Sequence, residues 1–166
     1  MHRFTDSTGA EWILDLTIGD VDRIRKSVGV DLLDASVEGE EDENFLERLQ
    51  RDPILACRCL FFGLDVASKG ISEEDFLSRL KGANYRAAVK CFWEGLADFF
   101  QSIGRETLAV MTTGYYEEAV EAHKTSVHQA RELMKLARQR ARKEQEQAFN
   151  EARQALDGES STQLLE

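Results

Sequence analysis

The chain has 166 residues, 42% of them apolar and 31% charged, and its 21 Lys and Arg against 31 Asp and Glu leave a net charge of −10. That is material for one ordinary domain, or for one domain plus an extended arm, and the acidity argues against coating nucleic acid or docking flat on an anionic membrane. One proline and 11 glycines exclude collagen-like and proline-rich classes.

No apolar run approaches the roughly 18 to 20 residues that span a bilayer, and the opening MHRFTDSTGAEW lacks the apolar core of a signal peptide. Three cysteines, an odd number, point to reduced thiols. The expectation is a cytoplasmic, mainly α protein: a small N-terminal β-hairpin, a compact helical bundle and a long C-terminal helix.

The hairpin is expected over residues 1–17. Arg3-Phe4-Thr5 is short and β-prone, and Asp6-Ser7-Thr8-Gly9-Ala10 is a cluster of turn formers. Glu11 to Thr17 then alternates, with Trp12, Leu14 and Leu16 on one face. An isolated hairpin is marginal in water, so that face must be covered.

A helical bundle is expected over residues 18–113. Thr17-Ile18-Gly19-Asp20 has the spacing of a capping box, and Val21, Ile24 and Val28 follow at helical intervals until Gly29. The stretch from Asp34 to Glu47 holds seven acids and no base. A solvated loop explains it, and docking of a basic partner is the alternative. A short helix carries Phe45, Leu46 and Leu49. Asp52-Pro53 then reads as a cap with proline at the first helical position.

From Ile54 to Ala67 the chain is apolar nearly all round, which suits the middle of a bundle. Ser72-Glu73-Glu74-Asp75 opens a further helix that closes near Gly82. Tyr85, Val89, Phe92, Leu96, Phe99 and Ile103 form the next seam, stopped by Gly104.

From residue 114 to 156 the composition shifts to Ala, Glu, Gln, Lys and Arg, all good helix formers. At 1.5 Å per residue such a helix is a rod of roughly 60 Å. Heptad positions 127, 134, 141, 148 and 155 read Val, Met, Ala, Ala, Ala, and Ala119, Ala130, Ala141 and Ala152 recur at eleven. Neither stripe buries much alone, so the rod is expected to project, to pair weakly or to order on a partner. Residues 157–166 read as a disordered tail.

Nothing in the sequence assembles an active site, a metal centre or a cofactor fold. Cys57 and Cys59 point about 200° apart on a helix and read, with Cys91, as buried thiols. His2 falls in a frayed start, and His123 and His128 lie roughly 140° apart. No HExxH, GxSxG, phosphate-binding GKS/T or GxGxxG pattern is present. No enzyme and no cofactor are expected.

The one local charge reversal is Arg131, Lys135, Arg138, Arg140, Arg142 and Lys143, with Glu132 the sole acid between 131 and 143. A solvated face is the plain explanation. Docking of an acidic partner is the functional one, ahead of nucleic acid, because the following heptads carry Ala and Glu rather than the Leu of a zipper.

The order of parts resembles a known family. Phe4-Thr5-Asp6, then Gly9-Ala10-Glu11-Trp12, then Arg23-Ile24-Arg25-Lys26-Ser27-Val28-Gly29-Val30-Asp31-Leu32-Leu33-Asp34 is similar to the start of tail assembly chaperones of long-tailed bacteriophages and prophages. Leu46-Glu47-Arg48-Leu49, Asp52-Pro53-Ile54-Leu55 and Ile71-Ser72-Glu73-Glu74-Asp75-Phe76 extend the likeness to about residue 100. The resemblance implies a non-enzymatic helper that binds the tape-measure protein, recruits tail-tube subunits and leaves before the virion is complete. It carries no catalytic residues to this chain. Self-association into a homo-oligomer is a further partner expectation; a generic helical adaptor or structural subunit and, ranked lower, a DNA-binding regulator using residues 131–143 are the competing readings.

Overall fold

The computed structural model describes residues 1–34 and 44–162, with the side chains of 152 and of 154 onward outside that description. Six helices, one 3₁₀ turn and a two-stranded sheet make up the described residues. The chain divides into two compact units, Met1–Val120 and a second one beginning at Glu121.

The hairpin forms as the alternation requires. Strands β1 (His2–Thr5) and β2 (Glu11–Leu14) pair antiparallel, with Phe4 opposite Trp12 and His2 opposite Leu14. Phe4, Trp12, Leu14 and Leu16 are buried, whereas Ile13 on the other face is 53% exposed. The missing cover is helical. Strand β1 lies along helix α5 (Gly82–Ser102), and the Trp12 ring meets Phe76 edge-on with centroids 5.4 Å apart.

Helix α1 (Ile18–Val28) starts on the expected capping box. The Thr17 hydroxyl accepts from the Asp20 backbone N–H, and the Asp20 carboxylate accepts from that of Thr17. Gly29 ends it at φ 77°, a left-handed position that other residues resist. Helix α2 (Phe45–Arg51) buries Phe45, Leu46 and Leu49 beneath an Asn44 cap. Helix α3 (Pro53–Gly63) begins where Asp52 accepts from the N–H groups of Ile54 and Leu55. It is the central helix and touches α1, α2, α5 and α4 (Glu73–Arg79).

Several boundaries differ from the sequence expectation, beginning with those of α3 and α4. Helix α3 stops at Gly63 instead of continuing to Ala67, and a 3₁₀ turn (Val66–Lys69) follows Asp65 at φ 51°. Arg23 donates to the Phe62 carbonyl at 2.8 Å, satisfying one of the acceptors a helix end leaves open. The turn then buries Val66 completely. Helix α4 stops at Arg79 because the Ser7 N–H of the hairpin turn takes the Arg79 carbonyl at 3.1 Å. Gly82, expected to close α4, opens α5 instead.

Helix α6 runs from Glu106 to Thr162. It therefore begins before the expected start at residue 114 and continues past Leu156 into what the composition reads as tail. Gly114 does not break it: an interior glycine costs about 1 kcal/mol, too little to end a helix whose first turns are anchored by packing. Those anchors lie within the first unit. Leu108 and Thr112 are buried, the Tyr115 hydroxyl donates to Glu47 Oε1 at 2.9 Å, and the Tyr116 ring stacks on Trp93 at 6.3 Å.

Candidate functional site

The described thiols are sealed. Cys57, Cys59 and Cys91 are all buried and unbridged. Burial pushes the thiols of Cys57 and Cys91 up to about 11 and that of Cys59 up to about 12, far from the thiolate a nucleophile or metal ligand needs. Among the described residues no group of three or more His, Cys, Asp or Glu is placed to hold a metal ion.

His2 is not in a frayed start. It belongs to β1, and its Nε2 lies 2.7 Å from Asp98 while Nδ1 lies 3.3 Å from Glu94. The ring spans between two carboxylates of α5, so its nitrogens diverge rather than converge on a site. His123 and His128 are exposed.

Asp6 is the buried charge that sequence reading passed over as a turn former. It is 2% exposed and accepts from the Thr8 hydroxyl at 2.6 Å, the Thr8 N–H at 2.8 Å, the Ala10 N–H at 3.1 Å and Trp12 Nε1 at 3.0 Å. Burial alone would raise its pKa, but the hydrogen bonds from Thr8, Trp12 and Ala10 outweigh it and hold the carboxyl down at about 2. The role is structural: it ties the hairpin turn to the strand face.

The six basic residues singled out in the sequence all lie on α6 in the second unit, and all are exposed. Helical spacing does not gather all of them. Arg131, Lys135, Arg138 and Arg142 step by four, three and four and share one face; Arg140 and Lys143 fall elsewhere on the circumference. Lys135 pairs with Glu132 at 2.7 Å. Every described side chain from Glu121 onward is exposed except Val127, and Leu133, Met134, Leu136 and Phe149 are each more than half exposed. This unit has the composition of a binding helix and no apolar cover of its own among the described residues.

Two surface grooves in the first unit have distinct chemistry. One, of about 550 Å³, is apolar and lined by Pro53, Ile54, Cys57, Leu77, Leu80 and Tyr85. The other, of about 570 Å³, lies between α5 and the first turns of α6. Its carboxylates are Asp98, Glu106 and Glu117, and small residues such as Ala97, Ala109 and Gly114 leave it open, with no base in the lining. Of the acidic stretch from Asp34 to Glu47, residues 35–43 lie outside the described residues, so its docking role is not located here.

No helix among the described residues is long and apolar enough to cross a membrane. Compared with protein-family models, curated proteins and solved structures, the chain matches none.

Proposed function

We propose that this chain is a non-enzymatic tail assembly chaperone of a long-tailed bacteriophage or prophage. In this reading it works in the host-cell cytoplasm, holds an extended helical tape-measure protein and recruits tail-tube subunits. The observation that carries the proposal is the second unit: a helical surface from Glu121 whose described side chains are exposed, with Val127 alone partly buried. On it Leu133 and Leu136 are exposed on the side away from the basic stripe, and Met134 is exposed near the stripe's edge. An elongated helical client offers the kind of surface such a helix can lie along.

The resemblance over about the first hundred residues supports the same reading, and its quoted segments supply caps and core in the first unit. Thr5 and Asp6 lead into the hairpin turn, Ile24 and Leu32 are fully buried, and Asp52 and Ser72 cap α3 and α4. These are roles in holding a scaffold. The net charge of −10 suits a holdase that must keep a sticky client in solution.

The test is to read the DNA downstream of the gene and to co-express the chain with the product of any long helical reading frame found there. Full-length chain should keep that product soluble and co-purify with it, and a chain ending at Val120 should lose most of the capture. An equally effective truncated chain removes the second unit from the mechanism. If no tape-measure or tube subunit is retained, the chain is better described as a generic helical adaptor.

A further inference from the structure

We propose that the face of α6 from Arg131 to Arg153 docks a straight helix of a partner protein whose facing side carries carboxylates at matching steps of three and four residues. The proposal rests on the reading of the second unit as the binding element and names the chemistry that element selects. All the residues concerned lie in that unit, where a single helix sets their register.

From Glu121 onward acids and bases are equal in number, eight of each, so a basic face here comes from placement and not from composition. Arg131, Arg142 and Arg153 are eleven residues apart, and eleven residues turn a helix to within about 20° of its starting direction. Arg138 and Phe149 keep the same interval beside them, and Lys135 completes the face. Glu132 is taken up by Lys135 at 2.7 Å, Glu144 and Glu151 point away from the face, and Glu146 stands at its rim. Arg131, Arg138, Arg142 and Arg153 are exposed and have no ion-pair partner among the described residues.

The spacing selects the partner's shape. A repeat of eleven keeps the face nearly parallel to the helix axis over roughly 33 Å, so a second straight helix can follow it for about six turns. Four of the five cations are arginines, whose planar fork grips a carboxylate through two bonds. Phe149, 68% exposed, and Met134, 63% exposed, add apolar contact area on the same side. A duplex phosphate backbone has no apolar surface for those two side chains. A membrane would need a continuous apolar face, and here Leu133 and Leu136 lie across the helix from Phe149. An acidic amphipathic helix satisfies the arginines and the apolar residues together.

Exposed ion pairs are individually weak and screened by salt, so the complex needs several of them at once and weakens steeply with ionic strength. Such a hold can be undone, as a helper that leaves its client requires.

The experiment is fluorescence anisotropy of a labelled synthetic peptide of about 25 residues, titrated with the full chain. The peptide is an alanine-leucine helix with glutamates stepping by four, three and four along one side. The same peptide with glutamine at those positions, a single-stranded oligonucleotide, a DNA duplex and phosphatidylserine vesicles are the comparison probes. Two variants of equal net charge separate face from composition: Arg138→Glu with Arg142→Glu on the face, and Arg140→Glu with Lys143→Glu off it. All four positions are exposed, and circular dichroism checks that each variant keeps its helix. The glutamate peptide should bind at low salt, with a Kd rising about tenfold or more at high salt, and the glutamine peptide should bind about tenfold or more weakly. The on-face variant should lose about tenfold or more in affinity, and the off-face variant should stay within about threefold of wild type. No binding of the glutamate peptide, equal losses in the two variants, or tighter binding of an oligonucleotide, the duplex or the vesicles overturns the proposal. Full capture of a tape-measure product by the on-face variant also overturns it while leaving the chaperone reading intact. Peptide binding without any such capture does the reverse.

Discussion

Trp12 Nε1 donates to Asp6 Oδ2 at 3.0 Å, and this bond joins the two faces of the problem a small hairpin must solve. The indole fills the core beside Phe76, and its polar edge still needs an acceptor once buried. Asp6 supplies that acceptor while also closing the turn through Thr8 and Ala10. Lys69 sits 4.4 Å above the Trp12 ring, so the residue is held from three directions.

Replacing Asp6 by Asn should cost about 2–3 kcal/mol, since three charge-assisted bonds weaken and Trp12 loses its preferred acceptor. The pH dependence has a definite sign. A carboxyl lowered from 3.8 to about 2 adds about 2 kcal/mol of stability that is fully present above its unfolded pKa and lost as pH falls toward about 2. Chemical denaturation of wild type and Asp6→Asn between pH 7 and pH 2 should show two curves that converge at the acid end. A constant gap across that range would remove Asp6 as the titrating group.

The three thiols should resist alkylation in the native state. Cys59 is 0% exposed and Cys91 2%, and burial keeps all three protonated well above neutral pH. Iodoacetamide at pH 8 followed by mass spectrometry should label them at least about 100-fold more slowly in native protein than in urea. Rapid labelling of Cys57 alone would mean that the apolar groove it lines opens readily.

Two glycines in helices should respond oppositely to alanine. A Cβ at Gly95 would lie 2.7 Å from Leu14 Cδ2, in a core where Leu14 is only 1% exposed. The tightly packed Leu14 side chain would have to shift, and a net loss of about 1–2 kcal/mol is expected despite the better helix propensity. A Cβ at Gly114 meets nothing within 4 Å. Gly114→Ala should stabilise by about 0.5–1 kcal/mol. Thermal melts of the two variants check both signs.

The place where the chain is cut should decide whether the first unit survives. Ending at Val120 retains Tyr115, which accepts from Asn44 Nδ2 at 3.0 Å, and whose carbonyl accepts from Gln50 Nε2 at 3.1 Å. That fragment should melt within a few degrees of the full chain. Ending before Arg105 also removes Leu108 and the Tyr116 stack on Trp93, and should cost about 3 kcal/mol or more. Equal melting of both fragments would show that α6 contributes nothing to the bundle.

Much of the fold was legible because its signals are local. The Thr17–Asp20 box, the Asp52-Pro53 start, the Gly29 stop and the period-two face of Trp12, Leu14 and Leu16 each depend on residues within a few positions of one another, and each appears where the spacing placed it. The buried cysteines were readable for the same reason: a helix apolar nearly all round places Cys57 and Cys59 among core residues, even though Ile54 on it is exposed. The basic stretch was visible as composition, but only helical geometry separates the four residues of one face from Arg140 and Lys143.

What the amino-acid order determined by itself is a mainly helical chain with a short hairpin, a central apolar helix and a long charged one. Tertiary structure alone decided where elements end and which polar groups are enclosed. Helix α4 stops at Arg79 because a carbonyl there is taken by Ser7, far away in the chain, and α3 stops at Gly63 beside Arg23 and Leu16. Asp6 is a turn residue by sequence and a buried anion by packing. The acidic groove exists only because α5 and the first turns of α6 lie side by side. Such features depend on contacts between residues tens of positions apart, and no local pattern records them.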